Sequence, residues 1–294
     1  MLPTFLGIGA PRAGTTWISD LLGSHPDVAM SKDRKEVHFF DLHFDRGLTW
    51  YQRFFPNLDT TPAAIGEYSP HYMYDSAVPR RVGSVDTIDR FIVSVRHPVE
   101  RAISHYRFRQ LVDGYRGSFD DFLVAYPDAT DWGYYARHLA PWFDYFDRDR
   151  FLVLVFEHAV SDVDSTKRAL AGHLGIDVTR FPDGSGGGPR NDPFVPRHPR
   201  LQRAARHGSR RLRSIDADWV VRLARRAGAA QVVKRRAPGS VAGEVTDRTR
   251  ARLGELFQPD IERLEVLTGL SLGLWQPHGP TANRGESDRA EPDH

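Results

Sequence analysis

The chain has 294 residues, 40% apolar and 27% charged, which is ordinary for a globular protein and enough to bury one substantial core. A formal net charge of +2 is too small to argue for nucleic acid, and the absence of cysteine excludes a disulfide framework or a zinc–thiolate site. No basic segment with an apolar h-region opens the chain, and no apolar run approaches the roughly 18 residues of a membrane span, so a cytoplasmic protein is expected.

In chain order, Thr4 to Gly9 reads as a short apolar strand. Helical spacing follows from Thr15 to Leu22 (Trp17, Ile18, Leu21, Leu22), until Gly23 and Pro26 end it. Arg90 to Val95, RFIVSV, is a β-branched run suited to a buried parallel strand. A helix is expected after His97-Pro98, through Ala102, Ile103 and Tyr106. Phe151 to Phe156, FLVLVF, is a third strand, and a helix near Ser165 to Leu174 stops at Gly175. Strands alternating with helices predict an α/β fold, a central and mostly parallel sheet with helices on both faces.

Pro182 to Pro199 is rich in Gly and Pro and is expected to be loop. Arg197 to Arg236 holds thirteen Lys or Arg against Asp216 and Asp218. That stretch reads as a solvated face, or as a peripheral contact for anionic lipid or an acidic carrier. Residues 1–276 are expected to form one domain, and 277–294 has so little to bury that disorder is expected. Only Lys32, Lys35, Lys167 and Lys234 are lysines, a bias towards arginine that fits a GC-rich bacterial genome.

The stretch Gly7 to Trp17, GIGAPRAGTTW, has the two glycines of a nucleotide phosphate loop at the right spacing but lacks its lysine. Thr15 and Thr16 follow Gly14 directly, and Arg12 is the cation inside the loop. A strand, a glycine turn and a helix start aim N–H groups and a positive dipole end at one point, which suits a phosphate-like anion. Arg12 adds a permanent charge and a forked pair of donors. The bland alternative is a tight turn whose glycines only relieve backbone strain. A magnesium-dependent NTPase would want an Asp closing a later strand, but RFIVSVRHP ends in arginine and FLVLVFEH in Glu157.

Arg96 falls at the carboxyl end of RFIVSV, where doubly wound sheets bind ligands, and Ser104 lies about two helical turns on. Together they suit a second anion. The bland alternatives are an Arg96–Glu100 surface ion pair and a neutral helical serine.

APRAGTTW resembles the 5′-phosphosulfate loop of sulfotransferases that use 3′-phosphoadenosine-5′-phosphosulfate (PAPS). FIVSVRHPVERAISHYR resembles their 3′-phosphate motif, with Arg96 and Ser104 in the two ligand positions. SHPDVAMSKDRKEVHFFD is similar to the heparan sulfate 3-O- and N-sulfotransferase branch, whose K-E-x-H-F-F carries the catalytic glutamate. The likeness continues through GLTWYQRFFP, GEYSPHYMY, YYARHLAPWFDYF and RFLVLVFEH and returns in LGELFQPDIERLEVLTGLSLGLW, so it covers most of residues 4 to 275.

The resemblance implies a P-loop-like sulfotransferase fold and a sulfuryl transfer from PAPS, with adenosine 3′,5′-bisphosphate as product and no metal required. The backbone of Ala13, Gly14, Thr15, Thr16 and Trp17 and the threonine hydroxyls would hold the 5′-phosphosulfate, and Arg12 would neutralise the leaving phosphate. Relatives often carry lysine there; arginine keeps the charge but cannot donate a proton. Glu36 is expected to take the acceptor hydroxyl's proton, with His38 either orienting it or acting as base itself.

Where the heparan branch has E-K-[ST]-P-x-Y, this chain has Glu67-Tyr68-Ser69-Pro70-His71-Tyr72. Losing that lysine points to a small-molecule or glycan acceptor, neutral or aromatic, met by Tyr68 and His71, rather than to heparan sulfate. A lipid-linked sugar fits if the basic segment docks on membrane. The late loop GSGGGPRNDPFVPRHP must close the 3′-phosphate site, with Arg190 a candidate contact. Two other readings are a small-molecule or nucleotide kinase with a degenerate phosphate loop, and a binding module without chemistry. The first leaves KEVHFF and Arg96/Ser104 unexplained; the second predicts a missing base or cation, yet Glu36 and Arg12 are present.

Overall fold

The structure, a computed structural model, describes residues 1–56, 62–188, 194–196, 234–236 and 245–275. Five strands build one sheet: β1 (Phe5–Gly9), β2 (Val28–Met30), β3 (Ala64–Tyr68), β4 (Arg90–Val95) and β5 (Phe151–Val155), in the order β2-β3-β1-β4-β5. Every neighbouring pair is parallel, so the chain must cross back over a face between strands. Two short antiparallel strands, Phe194–Pro196 and Lys234–Arg236, pair apart from this sheet. The rest of the basic segment 197–236, Arg190 and the tail lie outside the described residues.

Alternation along the strands divides the core into two layers. Leu6, Ile8, Phe91 and Val93 belong to the layer formed with the helices Pro98–Asp113, Tyr135–Phe143 and Asp247–Thr268. Phe5, Ile92 and Leu154 belong to the other layer, with the helices Thr15–Ser24 and Val163–Leu174. The expected α/β fold, a parallel sheet covered on both faces, is the one observed. Because the helices after β1 and after β4 lie on opposite faces, a crevice opens between the carboxyl ends of those two strands.

Some boundaries differ from expectation. The first helix runs on to Ser24, with Gly23 inside it. Phe156 starts a short helix, Phe156–Ser161, instead of ending β5. β2 and β3 are not evident from periodicity, since β2 is three residues long and β3, AIGEY, contains a glycine and a glutamate.

That glutamate, Glu67, is fully buried and accepts four hydrogen bonds. Tyr51 and Tyr72 hydroxyls donate to Oε1 at 2.7 Å each, while Ser69 Oγ (2.7 Å) and the Val37 N–H (3.0 Å) donate to Oε2. Tyr72 Oη in turn accepts from the Phe39 N–H at 2.8 Å, and Ser69 Oγ accepts from the His38 N–H at 3.2 Å. Burial pushes the Glu67 pKa up, against these bonds, which favour the charged form. One carboxylate thus clamps the segment carrying Val37, His38 and Phe39 onto the end of β3.

Glu67→Ala leaves those donors without an acceptor, at about 1–3 kcal/mol for each buried group that stays unsatisfied. The expected loss is at least about 3 kcal/mol, read as a lower midpoint in urea. An unchanged midpoint would show that the clamp is not needed for folding.

Candidate active site

At the carboxyl ends of β1, β4 and β5 lies a cleft of about 640 Å³, within the usual range for small-molecule sites. Its walls include Arg12, Gly14, Thr15, Thr16 and Trp17 from the first loop and helix, and Arg96 and Ser104 from the second. Phe156 and the glycine-rich stretch Gly184–Gly188 close the remaining side. The two sequence-predicted anion loops therefore share one cavity.

The first loop is held from beneath. Ser94 on β4 accepts from the Ala10 N–H at 2.7 Å and donates its hydroxyl to the Ala13 carbonyl at 2.5 Å. Tyr68 Oη donates to the Gly9 carbonyl at 3.0 Å. Gly14 adopts a left-handed φ of 82°, and a Cβ there would also strike the Phe156 ring at 2.5 Å, so only glycine fits. No side chain caps the helix that begins at Thr15, which leaves its positive end facing the cleft. The expected contact of Ala13 with the anion is corrected: Ala13 is fully buried, its N–H donates to the Ala10 carbonyl at 3.2 Å and its carbonyl accepts from Ser94.

Trp17 is buried too, and its indole N–H donates to the Gly186 carbonyl at 3.2 Å, tying the late glycine stretch over the helix start.

Arg12 rests on the Phe108 ring (4.7 Å) and donates from Nε to Ser104 Oγ at 3.3 Å. The cation of the first loop thereby touches the hydroxyl of the second. Burial, then the nearby charges of Arg96 and Arg101, push the Arg12 pKa down to about 10, so it stays charged at neutral pH. Arg96 lies over the Phe156 ring at 5.0 Å, and its buried Nε has no hydrogen-bond partner. Glu100 pairs with Arg250, which leaves Arg96 aimed at the cleft. Glu157 accepts from the His97 N–H (2.9 Å) and the Trp275 indole (3.3 Å), so its carboxylate ties β5 to the start of the Pro98–Asp113 helix.

Beside the first loop stands an ionic chain. Lys35 Nζ donates to Thr16 Oγ1 at 2.8 Å and lies 3.8 Å from Glu36 Oε1. Glu36 Oε2 faces His38 Nε2 at 3.4 Å, and His38 Nδ1 is 2.8 Å from Asp41 Oδ2. A left-handed backbone at His38 (φ 57°) makes this turn possible. Burial works to raise the Glu36 pKa but is outweighed by the hydrogen bond from His38 and the charge of Lys35, so the net shift is down. For His38 burial is likewise outweighed, by hydrogen bonds to Asp41 and Glu36, and its pKa is raised to about 10. Glu36 is thus ionised and His38 protonated at neutral pH.

His71 stands 5.4 Å from the His38 ring and 5.1 Å from Trp132, which stacks on His105 at 5.2 Å and 6°. Burial, then the His38 charge, lowers the His71 pKa; burial, then Arg101 and Arg109, pushes His105 down to about 3. These three rings form an aromatic group bordered by cations: Arg109 Nε donates to His105 Nε2 at 3.2 Å, and protonated His38 stands beside His71.

The expected contact of Tyr68 with an acceptor is corrected by the structure. Its ring is fully buried in the layer under the first loop, so close to Gly7 that a Cβ there would lie 2.2 Å away. Three residues missed by sequence reasoning take part: Lys35, Asp41 and Glu67. The first two flank Glu36 and His38 within KEVHFFD, and Glu67 heads the stretch matched to E-K-[ST]-P-x-Y, so both motifs held a signal; the role of Glu67 became readable only from its burial and its donors.

The fold is α/β, with a switch-point crevice lined by Arg12, Arg96 and an uncapped helix start and an ionised carboxylate nearby. The family model described as "Sulfotransferase domain" matches residues 3–185, and the chain belongs to that family. It is similar to mouse heparan sulfate glucosamine 3-O-sulfotransferase 6, with 34% identity over 168 residues, covering 54% of this chain and 48% of that protein. It is also similar to mouse bifunctional heparan sulfate N-deacetylase/N-sulfotransferase 1, with 30% identity over 172 residues, 52% of this chain and 20% of the relative. The chain thus spans about half or less of the length of these relatives. A solved sulfotransferase from Alicyclobacillus acidocaldarius shares the fold, with a TM-score of 0.68 at 21% identity over 94% of this chain and 99% of that one.

The His38 shift has a definite sign. A histidine whose pKa rises on folding adds stability that is full below its unfolded value of 6.5 and is lost as pH rises through about 10. In Asp41→Asn the loss still begins near 6.5 but should be smaller and complete at lower pH, measured by urea melts across a pH series and by the ring's NMR titration. A His38 ring that titrates near its unfolded value in both proteins would refute the ionic chain.

Proposed function

We propose that the protein transfers a sulfuryl group from PAPS to an acceptor hydroxyl, with Glu36 as general base. The observation that carries this reading is the link from the first loop to the carboxylate: Lys35 Nζ contacts Thr16 of the loop and Glu36 at once.

The cleft fits the donor. Adenosine 3′,5′-bisphosphate and its sulfated form carry charge at two ends. The uncapped helix start, Arg12, Thr15 and Thr16 serve one end. The unpartnered Nε of Arg96 and the Ser104 hydroxyl serve the other, once Arg12 releases Ser104. PAPS supplies the activated sulfuryl group, and every other part of the reaction falls to side chains. Glu36 accepts the acceptor's proton as the hydroxyl oxygen attacks. His38, held by Asp41, keeps Glu36 ionised and oriented, so the choice between the two for base falls on Glu36. Arg12 and Lys35 offset charge on the departing phosphate. Lys35 can also give up a proton, which Arg12 cannot.

The wall of His71, Trp132 and His105 supports an acceptor that is neutral, a sugar ring or a phenol. Its π faces suit C–H groups, and protonated His38 and Arg109 border it. The kinase alternative lacks support at Glu157, whose two oxygens are both engaged in hydrogen bonds within the fold.

Adenosine 3′,5′-bisphosphate at about a hundred times its dissociation constant should stabilise the protein by about 2.7 kcal/mol in a melting scan, and ATP with magnesium should not. Arg96→Ala should weaken the bisphosphate by about 10- to 100-fold. Stabilisation by ATP–magnesium alone would point to a kinase instead.

Glu36→Gln should keep bisphosphate binding and lose about 10²- to 10⁴-fold in labelled sulfate transfer to p-nitrophenyl β-glucoside. Retained turnover would place the base elsewhere, and faster transfer to heparan sulfate would overturn the neutral acceptor.

A further inference from the structure

We propose that Glu36, His38 and His71 also form a binding site for a zinc-class divalent transition metal ion, whose occupancy switches the enzyme off. One ligand atom from each of the three residues lies within 4.8 Å of the others. Two imidazoles and a carboxylate are a donor set that zinc uses with a fourth position left open. Imidazole also selects against magnesium and calcium, which prefer oxygen.

Two features go beyond proximity. His38 holds Asp41 through Nδ1 at 2.8 Å, which presents Nε2 towards Glu36 Oε2 at 3.4 Å. A carboxylate behind a histidine is the usual arrangement around metal-binding imidazoles, because it fixes the tautomer and raises ligand basicity. His71 stands on the other side with its buried Nδ1 unpartnered, a polar atom that nothing in the fold satisfies. At bonds of about 2.0–2.2 Å and tetrahedral angles two ligand atoms stand about 3.4 Å apart, a separation that Glu36 Oε2 and His38 Nε2 already have, so the third ligand, His71, is the one that must move in.

Binding follows from the ligand set alone. Inhibition rests on the reading of Glu36 as base, since a carboxylate coordinated to a metal cannot take a proton from the acceptor.

Cobalt(II) is the direct probe, because a tetrahedral site of this kind gives visible absorption bands. Titrated into the whole chain, it should produce these bands in the native protein. They should be lost in His71→Ala and reduced at least about tenfold in affinity in Glu36→Gln, with melting scans confirming that both variants fold. No bands in the native protein, or bands unchanged in both variants, would overturn the site. Zinc chloride, unlike magnesium chloride, should abolish sulfate transfer reversibly, with EDTA restoring it, and His71→Ala should need at least about tenfold more zinc relative to its own metal-free rate. Cobalt bands without zinc inhibition would overturn the switch and count against Glu36 as base; inhibition that ignores His71→Ala would overturn the ligand set.

Discussion

The Glu36–His38 side of the site hangs on the buried carboxylate of Glu67. It lies at the end of an internal strand, where a charge without partners could not persist. Its four donors come from three separate parts of the chain: the segment after Glu36, the helix bearing Tyr51, and the turn after β3. Satisfying this single group therefore brings them together. Through Ser69 and Tyr72 the network reaches the N–H groups of His38 and Phe39, so the backbone that displays Glu36 and His38 is set from behind. The chemistry in front is soft by comparison, a row of half-buried ionisable groups whose protonation depends on one another.

The donor side is ordered by topology. A sheet that grows in both directions from β1 leaves a crevice between the ends of β1 and β4, and each of these strands delivers one arginine into it. Ser94 and Tyr68 fasten the first loop to the sheet by its carbonyls, which turns the start of the following helix towards the ligand. The loop needs no lysine of its own: Lys35 reaches Thr16 from another segment.

How much of this is legible in the sequence depends on whether a role is local. The strand–glycine–helix signal of Gly7 to Trp17 and the pairing of Arg96 with Ser104 are local, and both stand in the cleft as expected. Glu36 and His38 are legible by resemblance, but their protonation states are not, because these depend on Asp41 and Lys35 in three dimensions. Tyr68 shows the opposite failure. Read as a substitution in a motif, it suggests an acceptor contact. Side chains alternate along β3, however, and both faces of an internal strand are covered, so Glu67 and Tyr68 are buried on opposite sides. Glu67 is the harder case: it heads a matched motif, but its role rests on burial and on donors that lie 2, 5, 16 and 30 residues away.

Three guanidinium groups, those of Arg12, Arg96 and Arg101, stand near enough for the first to feel the other two. Their like charges repel; Arg12 and Arg96 line the cleft while Arg101 is buried, and Arg12 leans on the Phe108 ring and the Ser104 hydroxyl. The cleft is accordingly a region where the native fold is less stable than it could be, a concession of folding free energy to function. Replacing Arg12 or Arg96 by a neutral residue of similar size would relieve the repulsion and make the protein sturdier while weakening its hold on an anion in the cleft. Resistance to heat and affinity for an anion in the cleft should therefore move in opposite directions at these two positions, and a search for thermostable variants would tend to select against ligand binding.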